Sequence, residues 1–401
     1  MELLSPAGSL EKLRYAVLYG ADAVYASGEQ FGLRAQSTNF DYLELKEAVA
    51  FCHKFKKKIY ITVNIFARNK DLNELPGYLT FLQNIGVDAL IVSDPAIFSL
   101  AQEYASALPI HISTQANVTS WKSADFWFKQ GARRIILARE LNLYEIKEIR
   151  QKLPEIELEI FVHGAMCMAY SGRCLLSNFL NSRDANRGNC SQPCRWKYHL
   201  LEETRPGEYF PVEQDNYGTY LLNSRDVNLI RRLPEIQQAG IDAVKIEGRM
   251  KSLYYVANVT RTYRQALNNI TSLSKRIENL SAELEKVSHR VYSEGFFTAN
   301  PSSSNQHYEN SAYIRSHQYL GEILTQEEEL LLVNIKAKFS VGDLIEMIFP
   351  DAASDLEFRV TRIYDEENNS LSFTKPNTIV KIAFDQKIQE YGILRMKLSG
   401  K

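Results

Sequence analysis

What the chain lacks narrows it first. No run approaches the roughly 18 consecutive apolar residues that a membrane helix needs, and Met1 to Ser5 do not begin a basic segment followed by an apolar one. We therefore expect a cytoplasmic protein with no membrane partner. Neither sign of charge is in excess: 47 Lys and Arg face 48 Asp and Glu over 401 residues. That balance excludes a polybasic tail protein and removes overall charge as an argument for nucleic acid, without excluding a local basic surface. With 45% hydrophobic and 24% charged residues the chain is neither disordered nor fibrous. Cysteine is scarce, yet four of the five (Cys167, Cys174, Cys190 and Cys194) fall in one short stretch. Disulfides are not expected in a cytosolic protein, so clustered thiols point to metal or redox chemistry. Cys52, inside an apolar helical pattern, reads as a small core residue.

From Met1 to about Ala266 short apolar runs alternate with amphipathic stretches: Leu3-Leu4, Ala21 to Ala26, Ile59 to Val63, Ala89 to Val92, Ile110 to Thr114, Arg134 to Ala138, Leu158 to Val162 and Ala243 to Ile246. Eight strands, most of them separated by one helix, predict an α/β fold in which a parallel sheet closes into a TIM-like eight-stranded βα barrel over residues 1–270. An open doubly wound sheet is the alternative, but no Gly-x-Gly-x-x-Gly follows the first strand to support its dinucleotide version. The alternation breaks once, between the seventh and eighth strands, where a cysteine-rich insertion occupies about 164–222. A helical extension and linker follow over 271–311, the polar run Asn300 to Ser311 being the linker. Strand-like runs with turn signals between them predict a small all-β, barrel-like domain over 312–401. Its 11 Lys and Arg against 14 Asp and Glu do not make it a nonspecific RNA clamp.

Successive residues of a strand face opposite sides, so alternation tells which side chains enter the barrel. Ile59, Ile61 and Val63 should pack on the helices while Tyr60, Thr62 and Asn64 point inward, and His111, Ser113 and Gln115 should do the same in the fifth strand. Glu159, Phe161 and His163 point in from the seventh, Lys245 and Glu247 from the eighth. The interior is expected to be polar, with Glu159, Thr62 and His111 in a satisfied network in its lower layers. His163, Asn64, Gln115 and Glu247 end their strands where barrel enzymes keep their chemistry, so they are candidate site residues. Lys245 and Glu247 share one face and could form a buried pair.

The cysteines are spaced by six, fifteen and three residues, and four thiolates suffice for tetrahedral zinc or for a cubane iron-sulfur cluster. Spacing alone leaves both open. No His-Glu-x-x-His and no Gly-x-Ser-x-Gly is present. The stretch E-I-F-V-H-G-A-M-C-M-A-Y-S-G-R-C-L-L-S, Glu159 to Ser177, resembles the signature of the peptidase U32 family. So do E-L-L-S-P-A-G-S-L-E-K-L (Glu2 to Leu13), N-S-R-D-V-N-L-I (Asn223 to Ile230) and K-I-E-G-R-M-K-S (Lys245 to Ser252).

The resemblance implies a four-iron, four-sulfur cluster on Cys167, Cys174, Cys190 and Cys194, zinc being the lesser alternative. By length and layout it implies the branch that makes 5-hydroxyuridine at the tRNA wobble position without oxygen, with prephenate as a small carboxylate co-substrate. The family's paired members imply a second subunit of the same family as a further partner. In that reading Glu247, Lys245, Asp226 and His163 are the candidate catalytic groups. Arg249, Arg225, Asn223, Asn64 and Gln115 would bind substrate, the arginines as anion partners. The competing readings are a collagenase-like peptidase with a structural metal, a hydroxylase of another RNA or of a small aromatic compound, and a noncatalytic cluster-bearing partner.

Overall fold

Alternating apolar residues build a sheet with one face for helices, and the chain uses eight such strands to close a cylinder. The computed structural model describes residues 1–32, 39–166, 225–298 and 313–398, with Ser177, Arg183, Ser191 and a short pairing of 214–215 with 218–219 between them. The barrel strands are β1 (Glu2–Pro6), β2 (Ala23–Ala26), β3 (Lys58–Val63), β4 (Ala89–Val92), β5 (Ile110–Ile112), β6 (Arg134–Ile136), β7 (Glu157–Ala165) and β8 (Ala243–Ile246). Each pairs in parallel with the next, and β8 pairs with both β7 and β1, which closes the barrel.

Most of the helices start where a side chain can take up their free amides. Ser9 caps α1 (Leu10–Leu18), Asp41 and Glu44 form a capping box on α2 (Tyr42–Lys54), and Asp94 caps α4 (Pro95–Tyr104), α3 being Leu75–Asn84. After α5 (Trp121–Lys129), Asn142 and Glu145 box the start of α6 (Leu143–Lys152). Then come α7 (Leu233–Gln238), α8 (Leu253–Asn268) and α9 (Ile277–Leu284). Their apolar stripes meet Ile59, Ile61, Val63, Ile112, Leu158, Ile160 and Val244, as the alternation predicts, and Cys52 is fully buried in that shell. Among the described residues no helix is long and apolar enough to cross a membrane.

The interior is less polar than expected. Leu4, Ala23, Tyr25, Tyr60, Ala89, Ile91 and Ile136 form an apolar inner cluster beside the charged residues. A short strand, Asp226–Asn228, runs antiparallel to the end of β7 and pairs with Tyr292–Ser293. Leu280, Leu284, Val287 and Phe297 of the segment after α8 are buried in the barrel's outer core.

Residues His317–Lys397 form a separate antiparallel domain of eight strands with its own core around Leu320, Val333, Ile345, Met347 and Leu394. It seats on α8 and α9 through a largely buried ion network. Arg395 binds Glu283, lies 2.8 Å from Glu346, and donates to Asn258 Oδ1 at 3.2 Å. Arg261 donates to Asp355 at 2.7 Å and to the Phe349 carbonyl at 2.8 Å, and Lys286 reaches Glu346 at 3.2 Å. Removing one partner of a buried pair strands the other charge. Glu283→Ala should therefore lower unfolding stability by about 3 kcal/mol in urea titrations, with far-ultraviolet circular dichroism unchanged. A loss below about 1 kcal/mol would mean the network is solvated.

Candidate functional site at the carboxyl-terminal mouth of the barrel

Five ionisable groups gather in the lower barrel and bind one another. Arg134, at the start of β6, lies 2.7 Å from Glu2, 2.8 Å from Glu157 and 3.0 Å from Glu159, while Lys245 lies 3.1 Å from Glu159. Tyr60 donates to Glu2 at 3.0 Å, and the Lys245 ammonium sits 4.4 Å from the Tyr25 ring centroid and 5.4 Å from that of Phe161. Burial lowers the Lys245 pKa against the opposing pull of Glu159. Burial, then the charges of Arg134 and Lys245, hold His111 well below its ordinary value, so its ring is neutral where it meets Tyr60 edge-on. Of the three residues expected in a satisfied lower network only Glu159 belongs to this one: Thr62 donates to the Ala26 carbonyl at 3.2 Å, and His111 Nδ1 has no hydrogen-bond partner among the described residues.

The expected Lys245–Glu247 pair does not form, because Lys245 is taken by Glu159. The reason is a register shift. Lys245 stands opposite Phe161 but Ile246 stands opposite His163, which leaves Val162 as an extra residue and breaks the alternation. Two sequence readings fail at this bulge. Glu247 lies just beyond β8, half-buried, with its amide on the His163 carbonyl at 2.8 Å. His163 faces outward with Val162, into a cage of Tyr255, Tyr263 and Tyr292, with Nδ1 3.3 Å from Tyr263 Oη and Nε2 3.4 Å from Tyr292 Oη. Burial lowers its pKa to about 3, with Asp226 opposing, so this imidazole is neutral and does not line the barrel.

Asp226 is likewise committed elsewhere. Its carboxylate takes Arg290 Nη2 at 2.7 Å and Nε at 3.1 Å, both side chains buried, and these contacts outweigh burial to keep its pKa below the ordinary value. This is a structural pair, and sixty-four residues separate its members.

The strand ends that remain at the mouth are Arg249, Glu247, Asn64 and Gln115. Arg249 is buried, with Nη1 3.4 Å from Thr62 Oγ1, and its carbonyl packs so closely on Gly8 that a Cβ there would lie 2.1 Å away. Gly164, at φ +106°, meets Glu247 in the same way. Asn64 follows β3, half-buried, its amide on the Phe31 carbonyl at 3.0 Å and its carbonyl accepting from Ser93 Oγ at 2.9 Å. Gln115 belongs to a 3₁₀ turn, Thr114–Ala116, because Ser113 caps the chain there and ends the strand at Ile112. Arg225 is half-buried immediately before Asp226. Asn223, Cys167, Cys174, Cys190 and Cys194 lie outside the described residues.

Both ends of the cysteine-bearing segment are anchored at one place, since Asp226 pairs with Ala165 at the end of β7. Within it Ser191 donates its amide to Ser177 Oγ at 3.0 Å, and the two hydroxyls lie 3.0 Å apart. Sequence reasoning missed Arg139. Its guanidinium lies 4.6 Å over the Phe161 ring and donates to the Ala165 carbonyl at 2.6 Å. A charged residue three positions past β6 was the available signal.

Comparison with known proteins agrees with this layout. The model of Peptidase family U32 matches residues 8–307, and that of the Peptidase family U32 C-terminal domain matches 315–395. The chain is 38% identical to tRNA hydroxylation protein P1 of Bacillus subtilis, covering 98% of this chain and 94% of that one. It is 39% identical to tRNA hydroxylation protein P of Escherichia coli, over 87% and 86% of the two chains. A 23S rRNA 5-hydroxycytidine synthase of Escherichia coli is 39% identical over 67% of this chain and 40% of its own length.

The buried imidazole makes stability depend on pH in a defined direction. In the unfolded chain a histidine titrates near 6.5; in the fold His163 titrates at about 3. Between these values the unfolded state holds a proton that the native state does not, so this contribution is lost as pH falls, at about 1.4 kcal/mol per pH unit. In urea titrations between pH 6 and pH 4, His163→Gln should show a slope shallower by about one proton. Equal slopes would refute a neutral, buried His163.

Proposed function

The chain belongs to peptidase family U32, and from that premise we propose that it is an RNA-modifying enzyme that converts wobble uridine of tRNA to 5-hydroxyuridine without molecular oxygen. The observation that carries this reading is the likeness along nearly the whole chain, barrel and β domain together, to a protein named for tRNA hydroxylation. A uridine unstacked from its loop would enter the carboxyl-terminal mouth, where Asn64 and Gln115 offer hydrogen bonds to the base, a role we also assign to Asn223. Arg249, buried and oriented by Thr62 and Gly8, takes an anionic group, which we assign to prephenate as co-substrate. Glu247 is the proton-moving group, half-buried at the same strand end.

In this proposal Cys167, Cys174, Cys190 and Cys194 hold a four-iron, four-sulfur cluster. Two observations favour a metal centre: four thiols fall within one short segment, and the Ser177–Ser191 contact ties together the sequence neighbours of Cys174 and Cys190. When bound, such a cluster supplies electron transfer. Lys245, His163 and Asp226 act through support: Lys245 neutralises Glu159 beneath the mouth, and the other two fix the end of β7.

Anaerobic purification should give a coloured protein with about four iron and four sulfide per chain, both lost in Cys194→Ala. A colourless protein with stoichiometric zinc would overturn the cluster. In a deletion strain, tRNA hydrolysates should lack 5-hydroxyuridine and regain it with the wild-type gene. Glu247→Gln and Arg249→Ala should each lower it by at least about 100-fold at an unchanged melting temperature. Normal hydroxyuridine in both variants would remove the chemistry from this strand end.

A further inference from the structure

Arginines packed into the barrel body are nearly all matched by carboxylates. Arg134, Arg150, Arg232, Arg261, Arg264 and Arg290 each have one within ion-pair distance. Arg139 and Arg225, both half-buried, have none among the described residues. The chain also brings them to one strand end. Arg139 donates to the carbonyl of Ala165, and Ala165 is the register partner of Asp226, the residue that follows Arg225. The Arg139 guanidinium, arriving from past β6, and the backbone of Arg225, just ahead of the short antiparallel strand, therefore both lie at the end of β7.

Arg139 is held rather than loose. One face of its guanidinium lies on Phe161, and one N–H is spent on Ala165. Among the described residues Nη2 makes no hydrogen bond, so the outer edge of the fork keeps donors to spare. Phe161 is in turn steadied by the Lys245 ammonium and is the half-exposed inward residue of β7. A flat guanidinium fixed on a ring presents its N–H edge in the geometry that grips an oxyanion through two bonds.

We infer that Arg139 and Arg225 form an oxyanion clamp at the end of β7, distinct from Arg249 on β8, that takes a phosphate of the tRNA strand or a carboxylate of the co-substrate. This rests on the functional reading above for the identity of the ligands, though not for the clamp itself. The two sources share one chemistry and differ in what they make measurable.

The test uses the full chain with Arg139→Gln, Arg225→Gln and Arg139→Lys. Three probes are titrated: unmodified tRNA transcript at several KCl concentrations, prephenate, and inorganic phosphate. If the ligand is a backbone phosphate, each Gln variant lowers the slope of log affinity against log salt by roughly 0.7–0.9 and leaves prephenate binding unchanged. If it is the carboxylate, prephenate binding weakens at least tenfold and the salt slope stays. Arg139→Lys keeps the charge but loses the fork, so it should fall between wild type and Arg139→Gln, and it serves where the Gln variant fails to fold. Variants with a wild-type melting temperature and unchanged binding of all three probes overturn the clamp. Wild-type protein that binds neither tRNA nor prephenate, yet binds phosphate in an Arg139-dependent way, overturns the functional reading and leaves the clamp standing.

Discussion

Everything at the mouth of this barrel rests on charges that had to be neutralised below it. Ionised groups placed inside a closed sheet are costly unless each finds an opposite partner, and Arg134 with Glu2, Glu157 and Glu159, then Lys245 on Glu159, meets that condition. These contacts join β1, β6, β7 and β8, which are the strands on either side of the seam where the barrel closes. The same residues that solve the solvation problem therefore hold the seam, and the seam carries Glu247 and Arg249 of the candidate site.

The register shift at Val162 is the second constraint. One extra residue in β7 turns His163 out to the tyrosines of α8 and sends the chain after Lys245 off the strand, so that Glu247 and Arg249 lie at the rim instead of inside the cylinder. Without it Lys245 and Glu247 would share the inner face. The bulge thus separates the Lys245–Glu159 ion pair beneath from Glu247 and Arg249 above, and leaves a neutral imidazole in a fully buried cage.

Much of this was legible in the chain. The eight strands, their outward apolar residues and the inward placement of Glu159 follow from period-two alternation, because burial on the helices selects Ile, Leu and Val at every second position. The bulge was not legible, since alternation continues unbroken in the letters Leu158 to His163 while the pairing partner slips. Nor was the Asp226–Arg290 pair: Arg290 comes from the segment after α9, and nothing local to Asp226 announces it. Gln115 was misjudged for a simpler reason, as Ser113 is a capping residue and ended the strand early. The four cysteines, by contrast, stand out by composition alone.

Helix α8 links the two halves of the molecule mechanically. Its capping residue, Ser252, follows Arg249 by three positions, and Tyr254, Asn258 and Arg261 along it grip the β domain through Arg395, Phe349 and Asp355. From the cap to Arg261 is about 13 Å at helical rise. Only the turn 250–251 separates Arg249 from the cap, so α8 has one end next to the barrel mouth and its shaft clamped to the β domain. A displacement of that domain would tilt α8, and the short turn 250–251 is all that stands between that tilt and Arg249.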